Sequence, residues 1–142
     1  MKETAQKNEI TAIRGAVDAA FKQLANNVPE LGLAILATGD GHLLTGYFAK
    51  PRNGARLSAL VSSLLAICET VSKELSAGAC KSAIVAADEL HIIVVRVGHM
   101  AKPLVMAAAY DAEMMLGAAL RHTTGVAAEV ASIIKTVREN PQ

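Results

Sequence analysis

From Leu57 to Cys68 the chain reads LSALVSSLLAIC, twelve residues without a charge. At 100° per residue, Leu57, Leu60, Val61, Leu64, Leu65, Cys68, Val71 and Leu75 gather on one stripe, the spacing of a helix that buries one face. The other side carries Ser58, Ala59, Ser62, Ser63 and Ala66, and charge returns there only at Glu69, Lys73 and Glu74. A solvated helix back is normally rich in Lys and Glu. A small, uncharged back lets another backbone come close. The helix is therefore expected to bury two faces, one against its own core and one against something else.

The 142 residues contain no linker-like stretch, so one domain over residues 1–142 is expected. Hydrophobic residues make up 52% and charged residues 19%, which excludes a disordered chain and leaves apolar surface for association. A net charge of +1 and 3% aromatic residues offer neither a basic footprint nor a stacking platform for nucleic acid. The N-terminal MKETAQKNEI lacks the apolar stretch of a signal peptide, and no apolar run approaches the ~20 residues of a membrane span. A cytoplasmic location without membrane insertion is the expectation. Cys68 and Cys80 both lie in apolar patterns and read as reduced, buried thiols.

Along the chain, Ile10, Ile13, Val17, Phe21 and Leu24 repeat at three and four, predicting a helix from about Glu3 to Ala25 that ends before Pro29. Two strands follow, Leu31–Ala37 and His42–Ala49, around a Thr38-Gly39-Asp40-Gly41 turn. Asn53 is placed to cap the middle helix, which runs to about Ser76. Beyond Ala77-Gly78, Cys80–Ala87 and Leu90–Val97 form a second hairpin around Asp88-Glu89. Leu90–Val97 is apolar at nearly every position, as a strand covered on both faces should be. A fifth strand, Pro103–Tyr110, leads to a last helix carrying Leu120, Ala127, Val130, Ile134 and Val137 on one stripe and ending near Glu139. Gly117 and Gly125 weaken its first half and blur its start. The order is α-β-β-α-β-β-β-α. Short turns make neighbouring strands antiparallel, and three amphipathic helices imply cover on both faces of the sheet.

With ILATGDGHLLTGYF as first hairpin, RLSALVSSLLAICETVSKEL as middle helix and MLGAALR opening the last, the chain resembles the Roadblock/LC7 family from about Ile10 to Arg138. The motifs that carry this are Asp40-Gly41, the small-residue stretch Leu57–Cys68, and Leu116-Gly117. The resemblance implies an α+β fold, a three-layer α/β/α sandwich of profilin-like type. Its five-stranded antiparallel sheet has the middle helix on one face and the terminal helices on the other. It also implies a homodimer in which the third strands pair edge to edge and the middle helices pack together. On this sequence the contact would comprise Cys80, Lys81, Ser82, Ala83, Ile84, Val85 and Ala86 of the strand and Ser58, Ala59, Ser62, Ser63 and Ala66 of the helix. An apolar edge guarded by Lys81 alone invites such pairing.

Little in the chain points to catalysis. G-x-x-x-x-G-K-[ST], H-E-x-x-H, C-x-x-C and G-x-S-x-G are all missing from the sequence. His42, His91, His99 and His122 are spread over a turn, a strand, a loop and a helix, without the spacing of a metal site. Cys68 with His91 would need an electropositive, partly exposed thiol, whereas Cys68 lies on the core stripe. Asp40 beside His42 is explained by turn geometry. Lys135 and Arg138 suit a helix C-terminus, and Met100, Met106, Met114 and Met115 read as core fillers. No catalytic residue, metal or cofactor is expected.

Members of the resembled family are non-catalytic: dynein light chains, scaffold subunits for small GTPases, and bacterial polarity proteins that regulate a Ras-like GTPase. The compactness of this chain fits the bacterial type. The expectation is a homodimeric adaptor or regulator of a Ras-like small GTPase, with Arg52, Arg56, Glu69 and Lys73 as candidate docking residues. Arg52 and Arg56 invite comparison with arginines inserted into GTPase sites, but exposed arginines commonly only solvate. Two alternatives stand beside this. One is a scaffold subunit of another complex, dynein light-chain-like. The other is a PAS- or GAF-like small-molecule sensor, which needs a lined cavity.

Overall fold

The computed structural model describes residues 2–98 and 102–139. Eight elements follow in the expected order: α1 (Lys2–Asn27), β1 (Leu31–Thr38), β2 (Leu43–Phe48), α2 (Gly54–Glu74), β3 (Ser82–Ala86), β4 (Leu90–Val97), β5 (Leu104–Asp111) and α3 (Leu116–Glu139). The five strands form one antiparallel sheet in the order β2-β1-β5-β4-β3. Two local hairpins, β1–β2 and β3–β4, occupy the flanks. The β1–β5 pairing joins the halves at the centre, where Leu33–Ala37 and Val105–Ala109 are buried on both faces.

Alternation along the strands separates two apolar layers. Leu36, Ile93, Val95, Met106 and Tyr110 face α1 and α3, where Phe21, Val130 and Ile134 close the larger layer. Leu33, Ile35, Val94, Val105 and Ala107 face α2, which contributes Val61 and Leu65. One helix on one face and two on the other is the expected sandwich.

Local chemistry explains the boundaries. The Asn53 carboxamide accepts from the Arg56 N–H at 3.1 Å, capping α2. Gly41 turns the first hairpin at φ +96°, a conformation that favours glycine. α1 runs on to Asn27 because Val28 N–H still bonds Leu24 O at 2.8 Å. α3 begins at Leu116, one residue before Gly117. By length and composition α2 is apolar enough to cross a bilayer, contrary to the expectation that no segment would be. Here it packs on the sheet.

Candidate interaction surface

The middle helix sits rotated from the stripe its leucines suggest. Ser58 is fully buried and Ser62 nearly so, side by side with Val61 and Leu65 against the sheet. Leu60, Val71 and Leu75, expected in the core, are 56%, 52% and 72% exposed, and Ile67 is 62% exposed. The physical reason is the first hairpin. Ser62 Oγ donates to Thr38 O at 3.1 Å, and a Cβ built on Gly41 would lie 3.1 Å from Ala59 Cα. The small residues bring α2 close to the backbone of its own chain. Placing Ser58 and Ser62 in a contact with a second chain is thereby corrected; Ala59, Ser63 and Ala66 are exposed. Leu57, Leu64 and Cys68 are half-buried at the margin.

α2 crosses the strands. Its first residue, Gly54, lies against Leu43 and Phe48 of β2. Ser62 reaches the end of β1, and Leu65 and Ala66 border a cleft of about 60 Å³ shared with Pro103 and Val105 of the β5 side. Glu69 forms an ion pair with Arg96 of β4. The C-terminal turn therefore reaches β3. Glu69, expected to be free for docking, is instead held to the sheet. Arg52, Arg56 and Lys73 are exposed, with no ion-pair partner among the described residues.

β3 is an edge strand, paired only with β4. Ala83 is buried beneath α2, while Ile84 and Val85 are 41% and 38% exposed. The strand is shorter than expected: Cys80 and Lys81 precede it, with Cys80 Sγ donating to Ser82 O at 3.5 Å. The hairpin beyond it closes through Ala87 N–H to Leu90 O at 3.0 Å. An apolar rim thus runs from Leu60 along α2 to Leu75 and down to the β3 edge. Sequence reasoning missed the exposed members of that rim because a leucine at helical spacing counts as core; the buried serines at positions 58 and 62 carried the missing phase.

The polar groups elsewhere do not assemble a reaction centre. Among the described residues no three His, Cys, Asp or Glu side chains converge. Cys68 and Cys80 are free thiols, each partly buried. His99 and Met100 lie outside the described residues. The buried Nδ1 of His91 has no hydrogen-bond partner, and neither does Ser58 Oγ. A cleft of about 100 Å³ on the opposite face is floored by Ile13, Leu36, Leu44 and Leu104, beside the Arg138–Glu9 ion pair at 3.1 Å. In the exposed hairpin turn the Thr38 hydroxyl, 2.5 Å from Asp40 Oδ1, is the main cause holding that carboxyl below its usual pKa. Burial pushes Tyr110 the other way, partly offset by its hydrogen bond to Thr123 at 2.8 Å.

No family model matches the sequence, and no curated protein matches it. Solved structures do share the fold. An MglB with a tetrameric arrangement superposes with a TM-score of 0.77 at 18% identity, covering 89% of this chain and 93% of that one. MglB from Myxococcus xanthus gives 0.75 at 15% identity, covering 90% and 91%. A Roadblock/LC7 domain from Streptomyces avermitilis gives 0.65 at 22% identity, covering 86% and 94%. The chain has the Roadblock/LC7 fold.

Proposed function

We propose that this chain is a homodimeric, non-catalytic adaptor or regulator of a Ras-like small GTPase, acting in the cytoplasm. The observation that carries the reading is the apolar rim on one side of a Roadblock/LC7 fold. Leu60, Ile67, Val71 and Leu75 of α2 stand in solvent beside the open edge of β3. Four large apolar side chains on one helix face mark a surface made for protein contact. The likeness in fold to MglB proteins, one of them in a tetrameric arrangement, supports both self-association and a regulatory role. Arg52, Arg56 and Lys73 would fringe the docking surface, as charged rims of protein interfaces do.

The test pairs two measurements. Sedimentation at micromolar concentration should show a dimer. A Ras-like GTPase recovered with the chain should bind it in one nucleotide state and change its rate of GTP hydrolysis or its location. A monomer removes the basis of the reading. A dimer that binds no GTPase in either nucleotide state favours the scaffold of another complex.

A further inference from the structure

We propose that the cleft between α1, the end of α3 and the β2 side of the sheet binds a short-chain monocarboxylate, its apolar tail in the cleft and its carboxylate on Arg14. Four elements besides β2 supply its walls: α1, α3, β1 and β5. Ile10, Ile13 and Arg14 share one face of α1, spaced at three and four. From β2 come both Leu44 and Thr45. Consecutive strand residues ordinarily point to opposite faces. Here Thr45 pairs with Leu36 and Leu43 with Ala37, so Leu44 is an extra residue in a bulge. The bulge lets Leu44 pack on the α1 side with Thr45, while Leu43 packs on the α2 side. Bulges re-aim side chains in this way and are over-represented next to active sites.

The cleft is apolar inside and cationic at its rim. Leu36 at the floor is fully buried, whereas Ile10 is 42% exposed. Glu9 and Arg138 offset each other's charge at 3.1 Å. Arg14 is exposed and makes no ion pair or side-chain hydrogen bond among the described residues. The rim therefore carries one net positive charge, and the Thr45 hydroxyl is the remaining polar group of the lining. A planar guanidinium matches a carboxylate two hydrogen bonds at a time. An amine would be repelled there, a dianion would keep one charge unmatched, and a plain hydrocarbon would leave Arg14 unused. Volume sets the length of the tail. A cavity of about 150 Å³ takes the six carbons of benzene, so a cleft of about 100 Å³ takes roughly four. Pentanoate and 3-methylbutanoate both carry such a tail.

Titration of the full chain with sodium pentanoate at pH 7, followed by amide and methyl NMR shifts, tests the site. Saturable shifts should centre on Ile10, Ile13, Leu44 and Leu104. Affinity should rise about fourfold per methylene from propanoate to pentanoate, then level off within about twofold at hexanoate, once the cleft is full. Pentan-1-ol should bind roughly fivefold more weakly than the acid. Arg14→Ala should remove that difference by weakening pentanoate alone, and Arg14→Glu should make pentylamine the better ligand. Arg14 is exposed, so both variants should keep the circular dichroism of the parent. No saturation by about 20 mM pentanoate, equal binding of acid and alcohol by the parent, or shifts centred elsewhere overturns the site. Pentanoate binding unchanged in Arg14→Ala overturns the role of Arg14, and affinity still climbing beyond hexanoate overturns the four-carbon tail. The cleft lies on the face opposite α2, so none of these readouts requires a dimer or a GTPase.

Discussion

Ser62 Oγ donates to the carbonyl of Thr38 across 3.1 Å, and this bond sets how α2 is turned on the sheet. Ser62→Ala should cost about 1 kcal/mol, the worth of one partly buried hydrogen bond. Ser62→Glu should cost several times more, because the carboxylate would enter the sheet side of the helix without a cation. Urea denaturation measures both. Neither result depends on protein concentration if Ser62 serves its own chain, whereas an interface residue would make the loss concentration-dependent.

Tyr110 is fully buried beneath α3. Thr123 Oγ1 lies 2.8 Å from both Ala119 O and the Tyr110 hydroxyl, and in the tyrosine–threonine pair either hydroxyl can donate. The raised pKa of Tyr110 makes this group bind its proton more tightly folded than unfolded. That contribution is fully present below the unfolded value of about 10 and is lost as pH rises through the higher folded value. Unfolding followed from pH 8 to 11 should show stability falling only above about pH 10. Tyr110→Phe should lower stability at neutral pH by about 1 kcal/mol and flatten that alkaline fall.

Gly125 lies exposed in the middle of α3, and a Cβ there would meet nothing within 4 Å. Gly125→Ala should stabilise the chain by roughly 0.5–1 kcal/mol through helix propensity alone. Gly41→Ala should do the opposite, since φ is +96° and Ala59 Cα stands 3.1 Å from the new carbon. Thermal melts of the two variants should move in opposite directions.

Arg52→Ala and Arg56→Ala should leave hydrolysis by a bound GTPase within a few-fold, as rim residues would. A drop of about a thousandfold would assign one of them a direct role at the transferring phosphoryl group.

The pattern of apolar residues was enough to place all eight elements. Leu90–Val97 was legible to the residue because it is apolar at nearly every position, although only Ile93, Val94, Val95 and Val97 are fully covered, and Asn53 announced its helix by side-chain chemistry. What the pattern did not disclose was the rotation of α2. Hydrophobicity alone treats Ser58 and Ser62 as the outside, yet a serine is also the residue that lets a helix close on a backbone carbonyl. That choice depends on where Thr38 and Gly41 fall in space, and Thr38 meets Ser62 across 24 residues of sequence. The edge at β3 was readable as a sticky strand. Its hydrogen-bonding phase required the pairing with β4.

The order of strands in the sheet has a consequence for how the chain comes to its native state. β1 pairs with β2 and β3 with β4 through nearby turns, but β1 must find β5 from the far side of α2, β3 and β4. Closing that distant pair spends chain entropy before any of its contacts form. On a ribosome, Leu33 through Thr38 wait without their central neighbour until the segment ending at Asp111 has emerged. The seam between β1 and β5 is therefore where folding of this domain is expected to be slowest, and where an arrested nascent chain would be most exposed to capture by a chaperone.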